Sequence, residues 1–249
     1  MSGLLRGKTA LVTGGSTGIG TAIVQAFIRE DSNVVFTHYR DKTDADAIVT
    51  ELSNGKGNIE TFQADVEDFG RAQEIVDKTV ENFGSIDILV NNAGANNDKV
   101  IWKMDEEVWD EIIATNLKGA FNYMRAASPV FREKKTGRII TISSINALRG
   151  KFGQANYAAA KAGTIGLSKS VAKELGRSNV TVNVVCPGLI ATKMVQSMPE
   201  DFKQQAIAEI VLGQIGTPED VAELIVFLAS DKARHITGEV IKIDGGQYI

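Results

Sequence analysis

The segment "GQANYAAAKAG" (153–163) sets one phenol and one amine, Tyr157 and Lys161, into a run of small residues. Four apart on a helix, the two side chains stack on one face about one turn apart. Alanine keeps the neighbourhood thin, so other backbone or a ligand can approach closely. The same spacing also describes a surface Tyr–Lys pair on an alanine-rich helix. Near the N-terminus, "LVTGGSTGIG" (11–20) places Gly14, Gly18 and Gly20 in a G-x-x-x-G-x-G spacing, where the commoner dinucleotide fingerprint is G-x-G-x-x-G. Glycine allows the backbone angles of a tight turn and lets the chain come close to a pyrophosphate. The helix that follows offers free N–H groups and a partial positive charge to the anion. At the end of the second strand, "FTHYRDK" (36–42) has no carboxylate for adenosine ribose hydroxyls; His38, Tyr39 and Arg40 stand there instead. A guanidinium suits a 2′-phosphate, so NADP(H) is favoured. Asp41 follows at once, and NAD(H) stays open.

These groups need a scaffold, and the hydropathy pattern supplies one. Seven short apolar runs read as strands: 9–13, 33–38, 58–63, 86–91, 137–143, 180–185 and 239–243. They alternate with segments of three-and-four apolar spacing, which argues βαβ units and a parallel sheet. Several runs are apolar throughout, as in strands covered by helices on both faces. No Pro-, Gly- or Ser-rich linker interrupts the chain, so residues 1–249 read as one doubly wound α/β domain of Rossmann type. Residues 188–216 form a long connection containing Met194 and Met198. Connections of that length are usually lids or binding loops, although Met is also ordinary core filler.

Composition removes several alternatives. Net charge is −4 with a pI near 5.4, without the basic excess of a nucleic-acid binder. The single cysteine, Cys186, allows no intramolecular disulfide, and with only His38 and His235 no metal site is expected. The N-terminus lacks the pattern of a secretory signal, and no apolar stretch is long enough to span a bilayer. A cytoplasmic protein that meets small molecules is expected.

The motifs together resemble the short-chain dehydrogenase/reductase family over essentially the whole chain. They are "TGGSTGIG", "ADV" (64–66), "NNAG" (91–94), "ATN" ending at Asn116, "ISS" ending at Ser144, "YAAAK" (157–161) and "CPG" (186–188), in the family's order. Within it the chain is most similar to 3-oxoacyl-acyl-carrier-protein and acetoacetyl-CoA reductases, through "GRIITISS", "GQANYAAAKAG" and "DGGQYI". The resemblance implies NADPH-dependent reduction of a 3-oxoacyl thioester, on acyl carrier protein or CoA. Other family reactions, on cyclic or other hydroxyacyl-CoAs, polyols or sugars, are the alternative, and a non-catalytic dinucleotide sensor is a third reading.

By position, the resemblance makes Tyr157 the proton donor. A phenol of pKa about 10 is a poor base at neutral pH, and an ammonium beside it favours the phenolate. Lowering it to about 7 needs roughly 4 kcal/mol of differential stabilisation. Lys161 is expected to do this and to bind the nicotinamide ribose. Ser144 would hydrogen-bond the substrate oxygen, ahead of its neighbour Ser143, and Asn116 would hold a water of the proton relay. A strand-end cap is the alternative for Ser144, and a helix-bending contact to backbone for Asn116. Cofactor contacts are expected from Gly14, Ser16, Thr17, Gly18, Ile19, Gly20, Tyr39, Arg40, Asp65, Val66, Asn92, Ala93, Gly94, Pro187, Gly188, Ile190 and Thr192, the last also a candidate helix N-cap. Asn146, Gln154 and Met194 join Ser144 and Tyr157 as substrate-site candidates; Lys134, Lys135 and Arg177 read first as an ordinary solvated surface, with a docking patch for an acidic carrier near the entrance as the alternative. A homotetramer built on helices 105–131 and 154–175 is implied as well.

Overall fold

The computed structural model describes residues 3–55, 57–196 and 200–249, without the side chains of Met194, Gln196 and Phe202. Met198 and the Met194 side chain therefore lie outside the described residues. Seven strands pair in parallel: β1 (Thr9–Val12), β2 (Asn33–His38), β3 (Ile59–Gln63), β4 (Ile88–Asn91), β5 (Gly137–Ile142), β6 (Val180–Pro187) and β7 (Val240–Ile243). Each overlaps a predicted run. Their order is β3-β2-β1-β4-β5-β6-β7, so the winding reverses between β1 and β4. Crevices at such a reversal, outside the carboxyl ends of the strands, are where ligands bind in open α/β sheets.

Successive side chains on a strand point to opposite faces, and both faces here are covered. On one, Val12, Val34, Val90 and Ile140 pack against α1 (Gly18–Arg29) and, at the far end of the chain, the helix Pro218–Ala229. On the other, Leu11, Val35, Leu89 and Ile139 pack against α3 (Phe69–Phe83), α5 (Gly119–Lys134) and α7 (Ala155–Leu175). The strands therefore read as apolar runs. Between β2 and β3 lies α2 (Lys42–Leu52).

The long helix predicted over 105–131 is interrupted. It consists of α4 (Glu106–Ile113), one π-turn (Ala114–Lys118) and α5. Asn116 lies in that π-turn and donates from Nδ2 to the carbonyl of Ile112 at 3.0 Å, a local competition for backbone groups that bends helices. After β5 come α6 (Asn146–Arg149) and α7; after β6 come α8 (Lys193–Gln196), α9 (Glu200–Ala208) and α10 (Pro218–Ala229). The two ends of the 188–216 connection meet, with Ala191 N–H on the carbonyl of Gly216 at 2.9 Å and Gly216 N–H on that of Leu189 at 3.0 Å. Among the described residues no helix is long and apolar enough to cross a membrane.

Candidate active site

The glycine loop runs from β1 into α1 at the switch point. Gly14 and Gly18 have φ of +66° and +55°, angles that side chains with a Cβ rarely adopt. A Cβ on Gly20 would stand 2.0 Å from the Gly14 carbonyl oxygen, so close packing of loop on helix requires glycine there. Thr17 gives α1 no side-chain cap, and its first turn carries no acidic residue. The turn is thus left open to an anion, which fits a dinucleotide pyrophosphate.

The loop is pinned from beneath. Thr13 Oγ1 accepts from the backbone N–H groups of Asn92 and Ala93, both at 3.0 Å, and Asn92 Nδ2 donates to the carbonyls of Thr13 and Gly14. Sequence reasoning missed Thr13; only its place at the end of the first strand hinted at it. Val66 is buried and Asp65 exposed beside it, with the Val66 carbonyl taken by Asn122 Nδ2 at 2.8 Å. On the other side, Thr192 lies against the glycine loop: a Cβ on Gly18 would meet its Cγ2 at 3.2 Å. Pro187 ends β6 and Ile190 is buried nearby. These segments converge on the carboxyl ends of β1, β4 and β6.

At the adenosine end, Arg40 is exposed, with its guanidinium carbon 4.7 Å from the centre of the Tyr39 ring. Asp41 turns back to the glycine loop and accepts from the buried Ser16 hydroxyl and from Tyr39 N–H. Burial pushes the Asp41 carboxyl up, but these hydrogen bonds outweigh it and hold it below the usual range. His38, the strand's last residue, is buried, and burial lowers its imidazole below the ordinary value despite Asp41.

Tyr157, Lys161, Ser144 and Asn116 come together at the ends of β5, α7 and the π-turn. Lys161 is 4% exposed; its Nζ donates to the Ile142 carbonyl at 2.8 Å and lies 5.8 Å from the centre of the Tyr157 ring. Burial brings its ammonium down to about 8. One imaginary point, a Cβ on Gly94, is 2.7 Å from Asn116 Oδ1 and 3.2 Å from Lys161 Nζ. Asn116 Nδ2 is engaged with backbone, by Ala95 as well as Ile112, while its Oδ1 is buried without a partner. The backbone contact foreseen for Asn116 is therefore present alongside an unpartnered acceptor in the neighbourhood of Lys161.

Ser143 and Ser144 separate cleanly. Ser143 spends its hydroxyl on the Lys161 carbonyl at 2.8 Å. Ser144 Oγ accepts from Asn146 N–H at 3.1 Å, which leaves its own O–H to donate. Within the chain the Tyr157 phenol lies above its ordinary value. Burial raises it, Asp98 adds to that, and the Ser144 side chain opposes. Lys161 does not reverse the sign within the chain, because loss of water around the phenol dominates.

Asn156 was also missed. It is fully buried, holds the carbonyls of Asn97 and Val108, and accepts from Tyr157 N–H at 2.8 Å; an asparagine beside the tyrosine has no spacing signal. Gln154 gives its amide hydrogens to Asp98 and its oxygen to Asn146, so neither expected substrate ligand has an idle amide group on that side. Lys134, Lys135 and Arg177 lie away from the entrance. Lys134 pairs with Asp87, just before β4, and Arg177 precedes β6, at the edge of the sheet opposite Tyr157.

Comparison with known proteins bears on the whole arrangement. The family model described as enoyl-(acyl carrier protein) reductase matches residues 14–247. A 3-oxoacyl-[acyl-carrier-protein] reductase of Thermotoga maritima is 42% identical over 245 residues, covering 98% of this chain and 99% of that protein. Proteins of the same name from Staphylococcus epidermidis and Escherichia coli are 43% and 42% identical over 244 residues, each with at least 97% of both chains covered. On these likenesses the chain belongs to the short-chain dehydrogenase/reductase family of nicotinamide-dinucleotide-dependent oxidoreductases.

Proposed function

We propose that this protein reduces a 3-oxoacyl thioester, carried on acyl carrier protein or CoA, to the 3-hydroxyacyl thioester with NADPH. One observation carries the reading: a phenol kept protonated by burial stands beside a serine whose O–H is free to donate, in a chain similar over nearly its full length to 3-oxoacyl-acyl-carrier-protein reductases. The bound dinucleotide supplies a hydride to the carbonyl carbon. Ser144 orients the carbonyl oxygen, and Tyr157 gives it the proton. Lys161, buried and cationic at neutral pH, fixes the ribose and restrains charge on the phenol as the proton leaves. Asn116 Oδ1, buried without a protein partner near Lys161, is an acceptor for a water of the proton relay.

Arg40 supports NADPH as the dinucleotide. The reading also includes one catalytic domain over 1–249 with 188–216 as its lid, a cytoplasmic location and a homotetramer. The test follows nicotinamide absorbance with acetoacetyl-CoA, using NADPH and NADH in parallel, for the protein and its Tyr157→Phe variant. Turnover with NADPH that falls by about 1,000-fold in the variant, with dinucleotide affinity kept, is expected. Equal activity in the variant would remove Tyr157 from the chemistry, and reduction of crotonyl-CoA alone would favour the enoyl reaction.

A further inference from the structure

Four stretches distant in sequence are tied together by one run of hydrogen bonds that starts beside the Tyr157 turn of α7. Asp98 accepts from Gln154 Nε2 with both carboxylate oxygens, at 2.9 and 3.1 Å. Gln154 Oε1 accepts from Asn146 Nδ2 at 3.0 Å, and Asn146 Oδ1 accepts from Arg149 Nε at 3.1 Å. Arg149 Nη1 then reaches Glu209 Oε2 at 2.8 Å, across 60 residues of chain. The same oxygen accepts from Gln247 Nε2 at 3.3 Å, and Gln247 Oε1 accepts from Leu189 N–H at 3.0 Å.

Gln247, buried, thus spans both stems of the 188–216 connection, Leu189 at its start and Glu209 near its end. Glu209 is thereby fixed relative to β6. Arg149 is the link that carries this fixed point to the segment after β5. Both ends of the Asn146 amide are engaged, its oxygen by Arg149 and its nitrogen by Gln154, while its backbone N–H donates to Ser144 Oγ. Release of Arg149 frees the Asn146 side-chain oxygen, while the Asn146 backbone N–H stays on Ser144 Oγ.

We propose that Arg149 is a positioning residue: by holding Asn146 against Glu209 it sets how far the 144–154 segment stands from Glu209, and with it the approach of the thioester to Tyr157. This rests on the thioester reading above. The pair is not a fold support. The Arg149 and Glu209 side chains are 21% and 53% exposed, and neither residue belongs to the apolar clusters. An ion pair at that exposure adds little to global stability, so its effect is local and separable from folding.

The experiment compares the full chain with Arg149→Met, Glu209→Ala, the double variant and Glu209→Gln, which keeps the acceptor oxygen. KM and kcat for acetoacetyl-CoA at saturating NADPH, NADPH affinity and amide hydrogen exchange over 200–210 are measured for each. Arg149→Met and Glu209→Ala are each expected to raise KM by about fivefold, the scale of one half-exposed ion pair, with kcat and NADPH affinity within about twofold. The double variant should be no worse than either single one. Exchange over 200–210 should quicken in both single variants and stay unchanged in Glu209→Gln. Additive KM losses, an unchanged KM in Arg149→Met, or a parallel loss of NADPH affinity would overturn the proposal. Inactivity of the unaltered protein on acetoacetyl-CoA would defeat the thioester reading instead. Exchange would then still decide the tie: faster in Arg149→Met and Glu209→Ala but not Glu209→Gln supports it, and equal rates in all overturn it.

Discussion

A phenol surrounded by protein resists ionisation, and at Tyr157 this outweighs the hydrogen bond from the Ser144 side chain. For a reduction the consequence is favourable, since the group must arrive carrying its proton. Lys161 bears the complementary cost. Its folded pKa, about 8, lies below the unfolded value of roughly 10.4. Between those values the unfolded chain binds more protons, so stability rises with pH across the window and the full cost is present below pH 8. Lys161→Met removes this titration. The stability of the native sequence relative to that variant should gain about 3 kcal/mol from pH 7 to pH 11, read from urea unfolding at each pH; a pH-independent difference would show that Lys161 is not held below its ordinary value. Arg40 makes a different prediction, about the cofactor. Arg40→Ala should weaken NADPH by about 10- to 100-fold, the worth of a charge-assisted hydrogen bond, and NADH by less than about threefold. Equal losses in fluorescence titrations would mean that the 2′-phosphate is read elsewhere.

The glycine loop, the turn after β4 and α1 behave as one element, because Thr13 Oγ1 accepts two backbone N–H groups that otherwise lack partners there. Thr13→Val keeps the shape and loses both bonds. It should cost about 2 kcal/mol of unfolding free energy and weaken dinucleotide binding, whereas Thr13→Ser should restore both. Full stability in Thr13→Val by thermal or urea unfolding would contradict this account. The break of the predicted 105–131 helix belongs to the same class of effect. Three-and-four apolar spacing continues through 114–118, so periodicity sees one helix. The π-turn arises from Asn116 bonding to Ile112 and Ala95, and the second of these partners comes from another part of the chain.

The candidate site lies along the carboxyl ends of the strands at the β1/β4 reversal, and the helices beside it keep apolar side chains exposed. Phe121 on α5 is 43% exposed and Trp109 on α4 is 37% exposed. Burial of these helices against further copies is the basis of the proposed tetramer. Sedimentation should give a mass four times that of the 26.8 kDa chain. A species at the chain mass, fully active, would show that the site is complete without a partner.

Much of this was readable from residue order. Seven apolar runs gave seven strands because strands covered on both faces need no polar alternation. The glycine loop and the Tyr157–Lys161 pair stand out in the sequence because a tight turn and a one-turn helical pairing demand particular residue types at short, regular spacings, whereas Ser144 and Asn116 are implied only by the family resemblance. What escaped the sequence depends on distant segments meeting. Thr13 under the Asn92 turn, Asn156 behind Tyr157 and the Arg149–Glu209–Gln247 tie each join residues with no fixed separation along the chain. The placement of Lys134 and Arg177 away from the mouth follows from strand direction, which a charge pattern does not contain. The sign of the Tyr157 shift likewise depends on how much water packing removes, a property of the assembled interior and of no single motif.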